Sequence, residues 1–296
     1  MRSVLQAALL FLVASSAWAQ KTEIVEGGGP TGTITDGAVS FTYNGLGTGG
    51  AANADLAGTG PGGDQLFSYW WYYRISGDPQ ETNFPSPDAE VYAGNMATLS
   101  WTDVNTRGFS ADLTHVVTDT GGPSGTLDSV LSISNISSAP IAIDIFVYVD
   151  ADVAGTFGGD VGTLVVDPTH INVADGAEFV NIVTGGNDAY QVLPWPGIRD
   201  LLSDAAVDDL DNTGLPFGPD DFTSGQQWLS VTLLPGETAT YASNIGANTD
   251  ATVIVPPLQL PGPTAIPALS KVGLALLASI LMLFAVYHLM RRRQYR

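Results

Sequence analysis

Three stretches of this 296-residue chain carry side chains with the types and spacing for chemistry. In DDLDNTGLPFGPDD, residues Asp209, Asp211, Thr213, Gly214 and Asp220 stand at positions 1, 3, 5, 6 and 12 of the calcium-loop pattern D-x-D-x-[DNST]-G-x5-[DE]. Ca2+ takes six to eight oxygens, and alternating carboxylates around a sharp glycine turn supply them. Against that reading, Asp220 replaces the usual bidentate Glu, Pro216 and Pro219 stiffen the loop, and FTSGQQWLSVTL after it has the pattern of a strand. In DADVAGTFGGD, Asp150 and Asp152 leave the end of a strand and Asp160 follows a glycine-rich loop. Carboxylates so placed hold Ca2+ or accept hydrogen bonds from loop amides. Ca2+ is therefore the one candidate cofactor, at either loop.

The third stretch is YWWYYR. On a strand, Tyr69, Trp71 and Tyr73 share one face, and Trp70, Tyr72 and Arg74 the other. An exposed aromatic row stacks on the flat faces of sugar rings, whereas a buried one fills a core. Nothing comparable points to a nucleophile. There is no cysteine, so thiolate chemistry and disulfides are excluded. His115 shares an apolar face with Phe109, Ala111, Leu113 and Val117, as a core histidine does. His170 follows Asp167-Pro168-Thr169 in a turn, and His288 lies in a C-terminal apolar segment. None sits near a G-x-S-x-G or H-E-x-x-H pattern. The 30 acidic residues offer many carboxylate pairs for glycoside chemistry, but the sequence gives them no distances.

The elements that must position these residues read as strands. Gly, Thr, Ser, Val and Ile dominate, and short alternating runs recur between Gly, Pro and Asp clusters. The predicted strands are 33–43, 66–75, 97–104, 109–118, 129–135, 141–149, 162–166, 177–184, 226–234 and 238–244. In IAIDIFVYV, Ile141, Ile143, Ile145, Val147 and Val149 form one β-branched face, expected inward. Residues 124–150 read as a strand pair turning at Ser-Ser-Ala-Pro, and 227–244 as a second pair turning at Pro235-Gly236. Residues 45–63 read as a Gly/Ala loop with little to bury. One helix is expected over 197–214, from the spacing of Ile198, Leu201, Leu202, Ala205, Ala206 and Leu210 with Gly214 at its end. The expected fold class is all-β: a single antiparallel β-sandwich with one short helix, spanning 20–254.

Both ends of the chain carry targeting patterns. Arg2, an apolar run over 4–13 and Ala17-Trp18-Ala19 make a signal peptide over 1–19. A Pro-rich linker over 255–263 leads to a C-terminal segment, 264–296. Within it, 272–290 is uncharged apart from His288 and long enough, at about 28 Å as a helix, to cross a bilayer core of ~30 Å. Arg291, Arg292 and Arg293 follow as a cytoplasmic stop. The body between the two ends carries 30 acidic residues against four basic ones, a net charge of −26. That excludes nucleic acid as a partner and attracts cations.

The string IPALSKVG, the apolar span and the Arg cluster resemble the IPTL-CTERM sorting signal, a relative of the PEP-CTERM class. Ile266, Pro267, Leu269, Ser270 and Gly273 match I-P-T-L-S-x-W-G, with Ala268 in place of Thr and Val272 in place of Trp. The resemblance implies a Gram-negative envelope, Sec-type export and an exosortase-type membrane protease as partners. It implies an inner-membrane precursor later delivered to the cell surface or an extracellular matrix. The stretches DQLFSYWWYYRISGD, LSISNISSAPIAIDIFVYVDADVAGT, NTGLPFGPDDF and LPGETATY resemble uncharacterised exported proteins with such tails, a family without assigned activity. The expected function is a non-enzymatic, structural or adhesive surface protein. The alternatives are a Ca2+-assisted polysaccharide-binding module and a secreted glycoside-active enzyme.

Overall fold

The structure is a computed structural model that describes residues 23–25, 29–60 and 63–252. The signal peptide, the linker beyond residue 252 and the sorting signal with its apolar span lie outside the described residues. Two antiparallel sheets face each other across one apolar core. In the larger sheet Phe109–Asp119, Gly125–Asn135, Thr238–Ala247, Glu178–Thr184, His170–Asp175 and Asp160–Val166 lie side by side, with Phe217–Asp220 at one edge. In the smaller, Ala189–Pro194, Phe222–Leu233, Ile141–Ala151, Ser68–Ile75, Ala52–Ala57 and Val39–Leu46 follow in that order.

The two expected strand pairs are not hairpins. Gly125–Asn135 belongs to the larger sheet and Ile141–Ala151 to the smaller; Phe222–Leu233 and Thr238–Ala247 divide the same way. Both turns are therefore crossings between sheets, and Asn135 joins them. Its amide donates to the Ala139 and Leu233 carbonyls, and its oxygen accepts from the Ser137 amide. Alternation alone cannot separate a crossing from a hairpin, because both put polar residues at the turn.

Strands of the larger sheet alternate buried and half-buried, as expected of a sheet covered on one face. Ser68–Ile75 and Ile141–Ala151 are buried on both faces. Inward, Tyr69 meets His115 and Tyr73 meets Phe109 of the opposite sheet. Outward, the Tyr72 hydroxyl donates to the Gly49 carbonyl, and Ile198 and Leu210 close over Gly225. A Cβ at 225 would stand 3.1 Å from Leu210, so glycine there lets the covering segment seat against the sheet.

Arg74 fixes that cover. Its guanidinium is buried and reaches Asp144 on the neighbouring strand, Glu81 at 2.7 Å, and both the carboxylate of Asp209 and the carbonyl of Asp208. Two expectations are corrected in these layers. The helix is only Gly197–Leu201, because Asp204 caps the Ala206 amide and Arg74 holds the Asp208 carbonyl and the Asp209 carboxylate. The Gly/Ala loop contains the strand Ala52–Ala57, whose small residues Ala52 and Ala54 bury with Leu56 beneath their neighbours.

His115 lies among Phe41, Tyr43 and Tyr69 and shares a 2.9 Å hydrogen bond between Nε2 and the Tyr43 hydroxyl. Burial holds its pKa down to about 3.

Two predictions follow from this interior. Replacing Arg74 by Met strands three carboxylates and should cost about 3–5 kcal/mol in urea unfolding. The second concerns His115, which stays neutral in the folded protein while the unfolded chain takes up a proton below about pH 6.5. Its contribution is thus complete above pH 6.5 and is lost as pH falls toward 3, by at most about 1.4 kcal/mol per pH unit. His115→Gln should remove that part of the acid slope; an unchanged slope between pH 6.5 and 4 contradicts it.

Candidate functional site

The strand ends of the smaller sheet gather carboxylates at one end of the sandwich. Ile141–Ala151 delivers Asp150 at its end, with Asp152 just beyond. Its register with Phe222–Leu233 pairs Ala151 with Phe222, so the next pair outward is Asp152 and Asp221. The Phe67 amide donates to the Asp150 carbonyl at 3.0 Å, and the Trp195 amide to the Asp221 carbonyl at 2.9 Å. These backbone bonds hold two aromatic side chains beside the carboxylates. Phe67, Phe157 and Trp195 line a cleft of about 230 Å³ with Asp150, Asp152 and Asp221. The three rings are 46%, 80% and 43% exposed, an unusual outlay of apolar surface in one place.

A second cavity of about 200 Å³ adjoins the first and shares Phe67, Asp150 and Trp195 with it. Tyr148 and Arg199 line this side. Arg199, on the short helix, lies 5.2 Å from the centre of the Trp195 ring and pairs with Asp200 at 2.8 Å. The Tyr148 hydroxyl donates to one Asp150 oxygen at 2.9 Å. The other Asp150 oxygen, buried at the cleft floor, has no hydrogen-bond partner.

Crowding and burial oppose ionisation here. Burial pushes the Asp150 carboxyl up to about 8, and the charges of Asp152 and Asp221 add to the shift. Asp152 rises to about 6 through burial, then through Asp221 and Asp64. Burial also raises Asp221, helped by Asp220. Asp160 opens the strand Asp160–Val166 opposite Asp220, is fully buried, and is pushed up to about 8 by burial and then by Asp152. One oxygen from each of Asp150, Asp152 and Asp221 lies within 4.8 Å of the others. Carboxyls this close suit two chemistries: sharing a hard cation, and acting as a pair on a sugar oxygen.

Of the residues singled out in the sequence, Asp150, Asp152 and Asp160 gather here. The other acidic loop does not form a cation loop. Asp209 is taken by Arg74 and Gln227, and Asp211 accepts from the Thr213 hydroxyl. Asp220 lies in the strand Phe217–Asp220. Its position 12 is thus drawn into the sheet while position 1 is spent on an ion pair, as the two prolines and the following strand portended. Tyr69, Trp70, Trp71, Tyr72 and Tyr73 are all buried in the core and offer no sugar platform. Their strand is covered on both faces, so neither side of the row reaches solvent. Ile266, Pro267, Ala268, Leu269, Ser270, Gly273 and Arg291, Arg292 and Arg293 lie outside the described residues.

Sequence reasoning missed Asp221, Phe67, Phe157, Trp195 and Arg199. Two signals were present: a Trp between two prolines in LPWPG, and a Phe alone in the glycine loop AGTFGGD, neither with neighbours to bury it.

No family model matches the chain, and no curated protein matches it. The fold is similar to that of a bacterial glucoamylase solved with acarbose, at 9% identity and a TM-score of 0.48, over 77% of this chain and 36% of that one. It is similar to a galactose mutarotase related enzyme from Lactobacillus acidophilus, at 9% identity and TM-score 0.45, over 75% and 99% of the two chains. A putative aldose 1-epimerase from Escherichia coli K12 matches at 9% identity and TM-score 0.45, over 78% and 100%. The chain spans little more than a third of the glucoamylase. The expectation of a non-enzymatic body has no counterpart among these neighbours, which are named as enzymes or as a putative enzyme. At this identity the likeness is one of sheet architecture and brings no site residue with it.

Proposed function

We propose that the protein is carbohydrate-active and takes a glycan into the cleft between Phe67, Phe157 and Trp195. The observation that carries this reading is the grouping of three exposed rings around carboxylates at the end of one sheet. Sugar rings present an apolar face of C–H groups and an edge of hydroxyls. Aromatic side chains bury the face, and carboxylates accept from the hydroxyls. Arg199 adds donors on the adjoining side, and the Tyr148 hydroxyl, whose hydrogen goes to Asp150, adds an acceptor. The negative floor favours neutral glycans over uronic-acid polymers, because like charges would meet in the cleft. The terminal patterns of the sequence support export to the cell envelope, where such glycans occur.

Titration calorimetry of the full chain against a panel of neutral oligosaccharides, with product analysis of each mixture, tests the reading. At least one glycan should bind, and Trp195→Ala with Phe157→Ala should weaken it about tenfold or more, equal to ~1.4 kcal/mol. Binding that is indifferent to both substitutions, or absent across the panel at millimolar concentration, overturns it.

A further inference from the structure

We infer that Asp150, Asp152 and Asp221 form a Ca2+ site at the floor of the cleft. Clustered carboxylates alone do not make a site. The second observation is what the buried oxygens lack. Asp150 lines the cleft and is 1% exposed; Tyr148 satisfies one of its oxygens, and the other is buried without a partner. Asp160, beside them, is fully buried and neither of its oxygens completes a hydrogen bond, although the Phe222 amide eases its charge. Buried carboxylate oxygens are costly to leave unmatched: without a cation such groups are held protonated, and a bound cation satisfies them directly.

The described basic residues are engaged elsewhere. Arg74 is enclosed by Glu81, Asp144 and Asp209, and Arg107 pairs with Asp78. Arg199 lines the adjoining cavity with Asp150, but its guanidinium pairs with Asp200 and lies over Trp195. His170 shares a hydrogen bond with Asn181 on the larger sheet. Among the described residues no cation forms an ion pair with the cluster, and Arg199 acts on Asp150 only through its charge.

The geometry suits calcium. Ca2+ binds oxygens at 2.3–2.6 Å, so two of its ligands can stand no more than about 5 Å apart. The three carboxylate oxygens meet that limit, lying within 4.8 Å of one another. Mg2+ keeps most of its waters and is usually held through one or two carboxylates, whereas Ca2+ accepts several in a flexible shell. Three side chains fall short of six to eight ligands. The remaining positions open to the cleft, where water or a ligand's hydroxyls complete the shell. Asp64 acts on Asp152 through its charge, and Asp152 and Asp221 act on Asp160, so both lie in the same acidic field without being needed as ligands.

The inference stands apart from the glycan reading, because metal binding is measured with no sugar present. The full chain is stripped with chelator, dialysed and titrated calorimetrically with CaCl2 and, separately, MgCl2; melting is followed in parallel. One Ca2+ should bind per chain, with the melting temperature rising about 5–10 °C at a hundred times Kd. Asp152→Asn combined with Asp221→Asn should lower affinity at least tenfold and abolish the rise, while the variant melts in chelator at or above the unsubstituted chain. Asp211→Asn, in the other acidic loop, should leave binding intact. Absence of Ca2+ binding at 5 mM overturns the inference. So does binding that survives the double substitution, binding lost with Asp211→Asn, or an equal response to Mg2+.

Discussion

The outer layer of the smaller sheet depends on one buried guanidinium. Arg74 ties its own strand to Asp144 on the next, to Glu81 in the following loop, and to 208–209 in the segment that crosses the sheet face. With 208–209 held, Leu210 packs beside Ile198 over Gly225. Ile198 belongs to the short helix, and one residue later Arg199 lies over Trp195. A chain of contacts thus runs from a core ion pair to the rim of the cleft. A buried charge is an expensive anchor, which its three acceptors offset; the return is a single defined path for a segment with little regular structure.

The sheets were legible where alternation reports burial on one face. The runs over 109–118 and 129–135 alternate apolar with polar and became such strands. Legibility failed where the second layer came from far away in sequence. Nothing within SYWWYYRI says that residues 197–213 will cover its outer side, so an aromatic row looked available to sugars. Likewise, the spacing of Asp209, Asp211 and Asp220 is local, but Asp209's partner is 135 residues distant. Asp221 escaped notice for the same reason: its place beside Asp152 is set by a strand register linking residues some 70 positions apart. Local pattern names an element's type; which side chains meet at its end is decided by pairing.

The acidic balance of the body is unevenly spread in consequence. Carboxylates such as Asp88 and Asp119 sit at the surface, where hydroxyls and amides hold their pKa down. Those at the cleft are desolvated and raised. Helical dipoles contribute little here, since the α-helix near the cleft has five residues and the 3-10 turn after Asp152 three. Burial and neighbouring carboxylates set the field at this end.

The segment 153–159 has a property of its own. Its two ends, Asp152 and Asp160, lie in the same acidic neighbourhood, and its tip carries Phe157, exposed and backed by glycine. Thr156 makes its side-chain tether to the larger sheet, through Asp175. Val153 at its start is buried in the core and the Ala154 amide donates to Gln65, so only the tip of the loop is free of the sandwich. Phe157 can therefore be exchanged while the strands beneath keep register, and the aromatic surface at this end of the molecule altered without renegotiating the core.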